Sequence, residues 1–289
     1  MKKYFVFSDA HGFYTQLQDA LKDKGFDINN PDHYVISLGD EFDRGLEAKE
    51  MLNFLTRLKK KNRLVLIKGN HTQLMWGLLQ ELNVCGKAQG SHHYSNGTVG
   101  TISQLVGNPE ITRKLEHWET LSEDDKDEIN EAMEPWMHLV EGNLNYFEKG
   151  DYIFVHGWIP FKSPTGGSYN NQIMNYYEGW RDLPELAKEW DWAIWAGFPT
   201  AYKSRCFEPD KTIVCGHWSC SAYWGDIKQE RKPFPQKNRP GWKRSFEPAI
   251  TPELIAIDAC TAYSGIINVL VFEETPESGL ILLDKQNNI

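Results

Sequence analysis

The chain has 289 residues and a formal charge of −9, from 31 Lys and Arg against 40 Asp and Glu. With no run of roughly five or six basic residues, that balance disfavours broad attraction to nucleic acid, so a phosphate-bearing ligand would need locally concentrated positive charge. Apolar residues at 40%, charged residues at 25% and 11 Trp describe a globular chain and exclude a fibrous or disordered one.

The opening MKKYFVFSDAHG has too short an apolar run before Ser8 and Asp9 for a secretory signal. From there to about residue 80 one pattern recurs: a β-branched or aromatic run, a polar turn, then helical periodicity. Tyr4–Phe7, Tyr34–Leu38 and Leu64–Ile67 read as strands. The helical faces carry Tyr14, Leu17, Ala20 and Leu21, then Met51, Leu52, Leu55 and Leu58, then Leu74, Leu78 and Leu79. Strand, crossover helix and strand imply parallel neighbours with helices on the sheet, an α/β class.

Residues 81–145 lose the strand pattern and read as a polar helical insertion, in which Glu123, Asp124, Asp125, Asp127 and Glu128 form a solvated face. Strand-like runs return at Tyr152–Val155, Thr212–Val214, Leu254–Ile257, Ile266–Phe272 and Leu280–Leu283, joined by loops, which points to a mixed or antiparallel sheet. The loop-rich stretches 157–210 and 221–250 are long enough to be functional. The expectation is one domain over residues 1–289 with the insertion at about 81–145. No stretch approaches the roughly 18 uninterrupted apolar residues of a membrane span. Cys85, Cys206, Cys215, Cys220 and Cys260 are odd in number and irregularly spaced, which argues against a disulfide framework and for a reducing compartment, with the cytoplasm as the expected location.

Polar residues recur at strand ends: Asp9 and His11 after the first strand, Asp40 and Asp43 after the second, Asn70 and His71 after the third. In an open α/β sheet the carboxyl ends of the strands line the ligand crevice, so these six side chains should converge. Each fragment alone has a plainer reading. SDAHG could be a helix cap, GDEFDRG a glycine-bounded turn and GNH a turn tolerant of positive φ. Together they share order, position and ligand chemistry, since carboxylate, imidazole and amide oxygen suit Zn, Mn or Fe rather than a thiolate site. His156 in VHG and His217 in CGHW end two later strands and extend the set.

On these residues the sequence resembles the calcineurin-like metallophosphatases, and among them the phosphoprotein phosphatase type. That family's pattern is D-x-H, G-D-x-x-D-R-G, G-N-H-E and two glycine-flanked histidines. Here it reads Asp9-Ala10-His11, Gly39-Asp40-Glu41-Phe42-Asp43-Arg44-Gly45, Gly69-Asn70-His71, His156-Gly157 and Gly216-His217. The resemblance implies a four-layer sandwich of two mixed β-sheets flanked by helices. It also implies two divalent metal ions, manganese first with iron, zinc or cobalt as alternatives. Asp9, His11 and Asp40 would hold one ion, and Asp40, Asn70, His156 and His217 the other, with in-line attack by a hydroxide bridging the pair. His71 is then the candidate general acid, Asp43 its orienting carboxylate, and Arg44 the phosphate clamp, with Asn70 and Arg181 as further phosphate contacts.

The sequence departs from the pattern at Thr72, where the family has glutamate, and IWAGFP (Ile194–Pro199) resembles its tryptophan segment but lacks arginine. Arg181 and Arg205 are both candidates for the second phosphate arginine, against a plainer reading of Arg181 as a surface residue stacked on Trp180. Asp258 reads as support for the strands, and His92 and His93 as part of a flexible polar loop. The expected substrate is a phosphorylated protein or a small phosphate ester. A nucleotide polyphosphate is the rival, with Tyr176, Tyr177, Trp180, Trp192 and Trp195 free to stack a base or to fill the core. A non-catalytic scaffold is the remaining alternative, disfavoured because no ligand position is lost.

Overall fold

The computed structural model describes residues 1–163, 173–228, 245–276 and 279–283. Parts of both loop-rich stretches, 164–172 and 229–244, lie outside the described residues.

Chain order begins β1 (Lys3–Phe7), α1 (Tyr14–Asp23), β2 (His33–Ser37), α2 (Ala48–Lys60), β3 (Leu64–Leu66) and α3 (Asn70–Cys85). Four helices follow: α4 (His92–Ser95), α5 (Thr98–Val106), α6 (Pro109–Glu116) and α7 (Glu123–Val140). Next come β4 (Tyr146–Lys149), β5 (Tyr152–Val155), a ribbon of β6 (Phe161–Lys162) with β7 (Asn175–Tyr176), α8 (Lys188–Ile194) and α9 (Phe198–Ser204). The last elements are β8 (Thr212–Cys215), β9 (Ala249–Ile250), β10 (Leu254–Ala256), α10 (Thr261–Ser264), β11 (Leu270–Glu273) and β12 (Ile281–Leu282).

Two five-stranded sheets result, in the orders β12-β11-β1-β2-β3 and β4-β5-β8-β10-β9. Both are mixed. In the first, β1–β2 and β2–β3 are parallel while β11 runs antiparallel to β1 and β12. In the second, β5–β8 and β8–β10 are parallel while β4 and β9 pair antiparallel at the edges.

Strand alternation sets the layers, because successive side chains point to opposite faces. Tyr4, Val6 and Ile36 meet Phe154, Val214, Ile255 and Phe272 between the sheets. Phe5, Phe7 and Val35 face outward against Leu17, Met51, Leu55, Leu78, Ile102 and Trp136 from the helices. Ile153, Val155 and Ile213 cover the other outer face with Trp158, Trp180, Trp190 and Phe198. Helices, sheet, sheet and a second helical and loop layer make the four-layer sandwich that the resemblance implied.

Between the end of α3 and Val140 the elements are all helices, and the acidic stretch has a specific role at the start of α7. Ser122 caps α7 by accepting from the Asp125 amide while the Asp125 carboxylate accepts from the Ser122 amide, a reciprocal capping box. Glu123, Asp124 and Asp125 thus occupy the first turn, where the helix dipole favours negative charge. Two expectations need correction. The run Ile266–Phe272 becomes a strand only from Leu270, since Asn268 turns its amide inward to donate to the carbonyls of Phe246 and Ile257. His92 and His93 form a helical turn rather than a flexible loop, and His93 is buried. Among the described residues no helix is long and apolar enough to cross a membrane.

Candidate metal centre

The loops after β1 and β2 run side by side and continue the ladder of their strands. The amides of Asp9, His11 and Gly12 donate to the carbonyls of Gly39, Asp40 and Glu41 at 3.1, 2.9 and 2.7 Å. Where β3 gives way to α3, a Cβ on Gly69 would collide with Asp40 Oδ1, so the third loop closes on the second only with glycine there. The His71 amide then donates to Asp40 Oδ1 at 3.0 Å. From the second sheet, His156 follows β5 and His217 follows β8, tied by the Gly216 amide donating to the His156 carbonyl at 2.8 Å. Asp9, His11, Asp40, Asp43, Arg44 and His217 all hold left-handed backbone, six of the eleven such non-glycine residues described. Strain of this kind persists where surrounding structure over-determines it and clusters at functional sites.

Three imidazoles have one ring nitrogen committed to a carbonyl. His11 Nδ1 lies 3.0 Å from the Phe42 oxygen, His156 Nδ1 2.7 Å from that of Leu38, and His217 Nε2 3.2 Å from that of Trp195. With those nitrogens donating, His11 Nε2, His156 Nε2 and His217 Nδ1 are left for the centre, the arrangement typical of metal-binding histidines. His11, Asp40 and His71 offer ligand atoms within 4.8 Å of one another, as do Asp40, His156 and His217. Asp40, 2% exposed, belongs to both groups. Asp9 Oδ1 stands 3.9 Å from His11 Nε2, while its Oδ2 accepts from the Ser8 hydroxyl and from the His217 amide at 2.9 Å.

Electrostatics mark the same spot. Burial pushes His11 and His217 down to about 4, reinforced by the neighbouring imidazoles His71 and His156 respectively. Burial opposes charge on His156 too, but the Asp40 carboxylate outweighs it and lifts the imidazole to about 9. Burial would also raise Asp40, yet His156 and His71 hold it well below the usual carboxylate range. The proton on His156 Nε2 lies toward Asn70 Oδ1 at 2.8 Å and Asp40 Oδ2 at 3.3 Å. That proton faces the oxygen donors a divalent cation would take, so the donor set fits the metals the family pattern implies.

Beside this set, His71 Nδ1 sits 2.6 Å from Asp43 Oδ2. Asp43 is fixed in turn by the hydroxyls of Thr98 and Thr101, which donate at 3.1 and 2.7 Å. Burial disfavours the His71 imidazolium, but Asp40 and Asp43 together raise its pKa above the ordinary value. Arg44 is exposed, with its guanidinium nitrogens 3.2 Å from His11 Nε2 and 3.3 Å from His71 Nε2.

Asp9, His11, Asp40, Arg44, Asn70, His71 and His217 line one cavity of about 530 Å³, and His156 and Asp43 stand behind its wall. Among the described residues Arg44 is the one guanidinium on its wall. Arg181, expected as a phosphate contact, does not reach it. Its guanidinium pairs with Glu148 at 2.7 Å and Glu208 at 2.9 Å and stacks over Trp180 at 4.3 Å, so its donors are already engaged on the outer face of the second sheet. Arg205, at the end of α9, also lies off the cavity. Asp258 borders the cavity and accepts from the Cys260 amide at 2.6 Å, stiffening the turn after β10.

Sequence reasoning missed Asn96, Trp218 and Glu41. Asn96 reaches the cavity from the helical insertion, and Trp218 enters it directly after His217, an adjacency that could have flagged it. Glu41 is buried, accepts from the Ser37 hydroxyl and borders the same small void as Thr72, Met75 and Trp136. Its carboxyl therefore sits in the neighbourhood left by the family's missing glutamate at position 72.

A family model described as calcineurin-like phosphoesterase matches residues 2–221. The asymmetrical bis(5′-nucleosyl)-tetraphosphatase PrpE of Bacillus subtilis is 23% identical over 181 residues, which is 60% of this chain and 64% of the relative. The chain thus spans just under two thirds of the curated relative it matches. Among solved structures, the cold-active protein-tyrosine phosphatase of a psychrophilic Shewanella species aligns over 98% of this chain and 80% of its own, with 17% identity and a TM-score of 0.49. A protein serine/threonine phosphatase from Saccharomyces cerevisiae aligns over 97% and 78%, with 13% identity and a TM-score of 0.48.

Proposed function

The chain belongs to the calcineurin-like phosphoesterase family, and from that premise we propose that it is a metal-dependent phosphate-ester hydrolase that cleaves phosphomonoesters, phosphoserine and phosphothreonine in proteins first among them. The observation that carries this reading is the His71–Asp43 pair, held at 2.6 Å beside the shared carboxylate Asp40. An alkoxide leaving from a serine or threonine needs a proton at neutral pH, and a positioned imidazolium donates one.

In this reading Asp9, His11, Asp40, Asn70, His156 and His217 hold two divalent ions, manganese first. Such ions, when bound there, would supply water activation and offset charge on the phosphoryl oxygens. Arg44 orients the phosphate with its forked donors. His71 carries the proton for the leaving oxygen on Nε2, and Asp43 is a positioning residue that fixes Nδ1–H and favours the charged ring. The odd number and irregular spacing of the five cysteines fit a reducing compartment such as the cytoplasm.

A second reading, hydrolysis of dinucleoside polyphosphates, is favoured by Trp195 and Trp218 on the cavity wall, the latter 37% exposed. An indole face in that position could stack a base. The test is kcat/KM of the manganese-loaded protein for a phosphoserine peptide against diadenosine tetraphosphate, with Trp218→Ala alongside. The monoesterase reading expects the peptide to be preferred and Trp218→Ala to leave it nearly unchanged. A preference for the dinucleotide that collapses in Trp218→Ala would replace it with the second reading.

A further inference from the structure

Away from the cavity, three potential ligands converge where α3 meets α4. Glu81 on α3 and His92 and His93 on α4 present carboxylate and imidazole atoms within 4.8 Å of one another. His93 is 1% exposed, and among the described residues neither of its ring nitrogens has a hydrogen-bond partner. Its Nε2 lies 3.2 Å from Glu81 Oε2, close enough for an ion pair but not aligned as a hydrogen bond. A buried imidazole with both nitrogens unsatisfied forfeits the hydrogen bonds it would make in water, so the position calls for an acceptor or a Lewis acid.

Local geometry gathers the rings. The His93 imidazole packs beside Gly77 of α3, and His92 folds back over Gly90, where a Cβ would strike its ring. The two ring centroids are 3.9 Å apart. Two imidazolium rings so close would repel, whereas two neutral imidazoles and a carboxylate around one cation would not. Glu81 Oε2 also accepts from the Gln89 amide at 2.7 Å, which fixes the carboxylate toward the histidines.

We propose that Glu81, His92 and His93 form a separate binding site for a zinc-class divalent ion. Two imidazole nitrogens and one carboxylate oxygen are a zinc-type donor set, which leaves a fourth position for water on the exposed His92 side. Such a set selects borderline first-row ions over magnesium or calcium. The ion would lock α4 onto α3. The chain then runs through Asn96 at the cavity, Gly97 packed on the Arg44 backbone, and Thr98 and Thr101 on Asp43. Occupancy therefore pins the segment behind the catalytic loop without touching its metals.

The experiment counts zinc per chain after loading with Zn²⁺ alone and gel filtration, comparing Asp40→Asn with Asp40→Asn/His92→Ala. The Asp40 change is common to both, so the difference isolates this site whatever the main centre retains. The proposal expects one zinc fewer in the double variant, together with loss of the zinc-dependent part of its thermal stabilisation. His92 is exposed, so its truncation should leave the fold intact, which circular dichroism checks. Glu81→Gln serves as an independent second variant and should weaken zinc binding at least about tenfold. Equal zinc content in folded single and double variants, or an unchanged affinity in Glu81→Gln, overturns the site and leaves the reading of the main centre as it stands.

Discussion

The wall of the cavity that grows from β1, β2 and β3 is built from neighbouring loops, whereas the facing wall is assembled from segments far apart in the chain. On the first wall, Asp9, His11 and Asp40 sit on loops that hydrogen-bond to each other directly, and Asn70 and His71 open the helix that closes against them. On the second, His217 takes its orientation from the Trp195 carbonyl, 22 residues earlier, and Trp218 and Asp258 add further lining. The first wall is over-determined by short backbone bonds and is suited to fixed chemistry. The second depends on longer connections, so it can vary in what it admits without moving the reacting groups.

The largest expected effect tests whether Asp40 is the keystone of the first wall. Asp40→Asn keeps shape but removes the charge shared by both ligand groups, and should lower kcat by on the order of 10³-fold, equivalent to about 4 kcal/mol of lost stabilisation. Metal titrations of the variant should show weaker binding at both positions. If only one position weakens, Asp40 is not shared and the two walls act separately. Next comes His71→Ala, which should lower kcat by about 10²–10⁴-fold for an alkyl phosphate, the range for loss of a general acid. For an aryl phosphate with a good leaving group the loss should be far smaller. Equal losses on the two substrates would remove the proton-donor role.

The junction between the walls is sharpened by pH. His156 is held at about 9 in the metal-free site, whereas His11 and His217 are pushed down to about 4. At neutral pH an entering cation must therefore displace one proton, the one on His156, and none from the other two imidazoles. The sign follows: as pH falls below about 9, apparent metal affinity should fall by roughly tenfold per unit, and above it should level off. Calorimetric titrations with manganese in buffers of different protonation enthalpy should report about one proton released at pH 7. Zero protons would mean that His156 is neutral beforehand.

The same contrast explains what can be read in the sequence. Each first-wall motif is continuous and placed at a strand end, so position alone brings Asp9, His11, Asp40, Asn70 and His71 to one place. The run Tyr4–Phe7 is apolar throughout, as a strand covered on both faces requires, with Tyr4 and Val6 turned to one layer and Phe5 and Phe7 to the other. The second wall is legible only where glycine flanks a histidine. Nothing local in the sequence announces that the Trp195 carbonyl orients His217, or that Thr98 and Thr101 brace Asp43 from about 55 residues downstream. The burial of His93 is hidden because it depends on how α4 docks on α3, a tertiary fact. Arg181 misleads because an arginine in an aromatic loop looks alike whether it awaits an anion or is already paired.

That last arginine, set against Arg44, gives the smallest effects and the cleanest contrast. Arg44 faces only ring nitrogens, and among the described residues no carboxylate pairs with it, so an incoming phosphate competes with nothing strong. Arg181 is held by two carboxylates and an indole face. Arg44→Gln should lower kcat/KM about 10- to 100-fold, the range of a charge-assisted bond worth roughly 1.5–3 kcal/mol, with the thermal midpoint nearly unchanged. Arg181→Gln should do the reverse: about 1 kcal/mol of stability lost from a partly exposed ion-pair network, with kcat/KM within about twofold of the parent. Chemical denaturation and steady-state kinetics on the two variants separate these outcomes. A drop in kcat/KM for Arg181→Gln with full stability would mean that its carboxylate partners release it to substrate, and the distinction between a free and a committed arginine would fail.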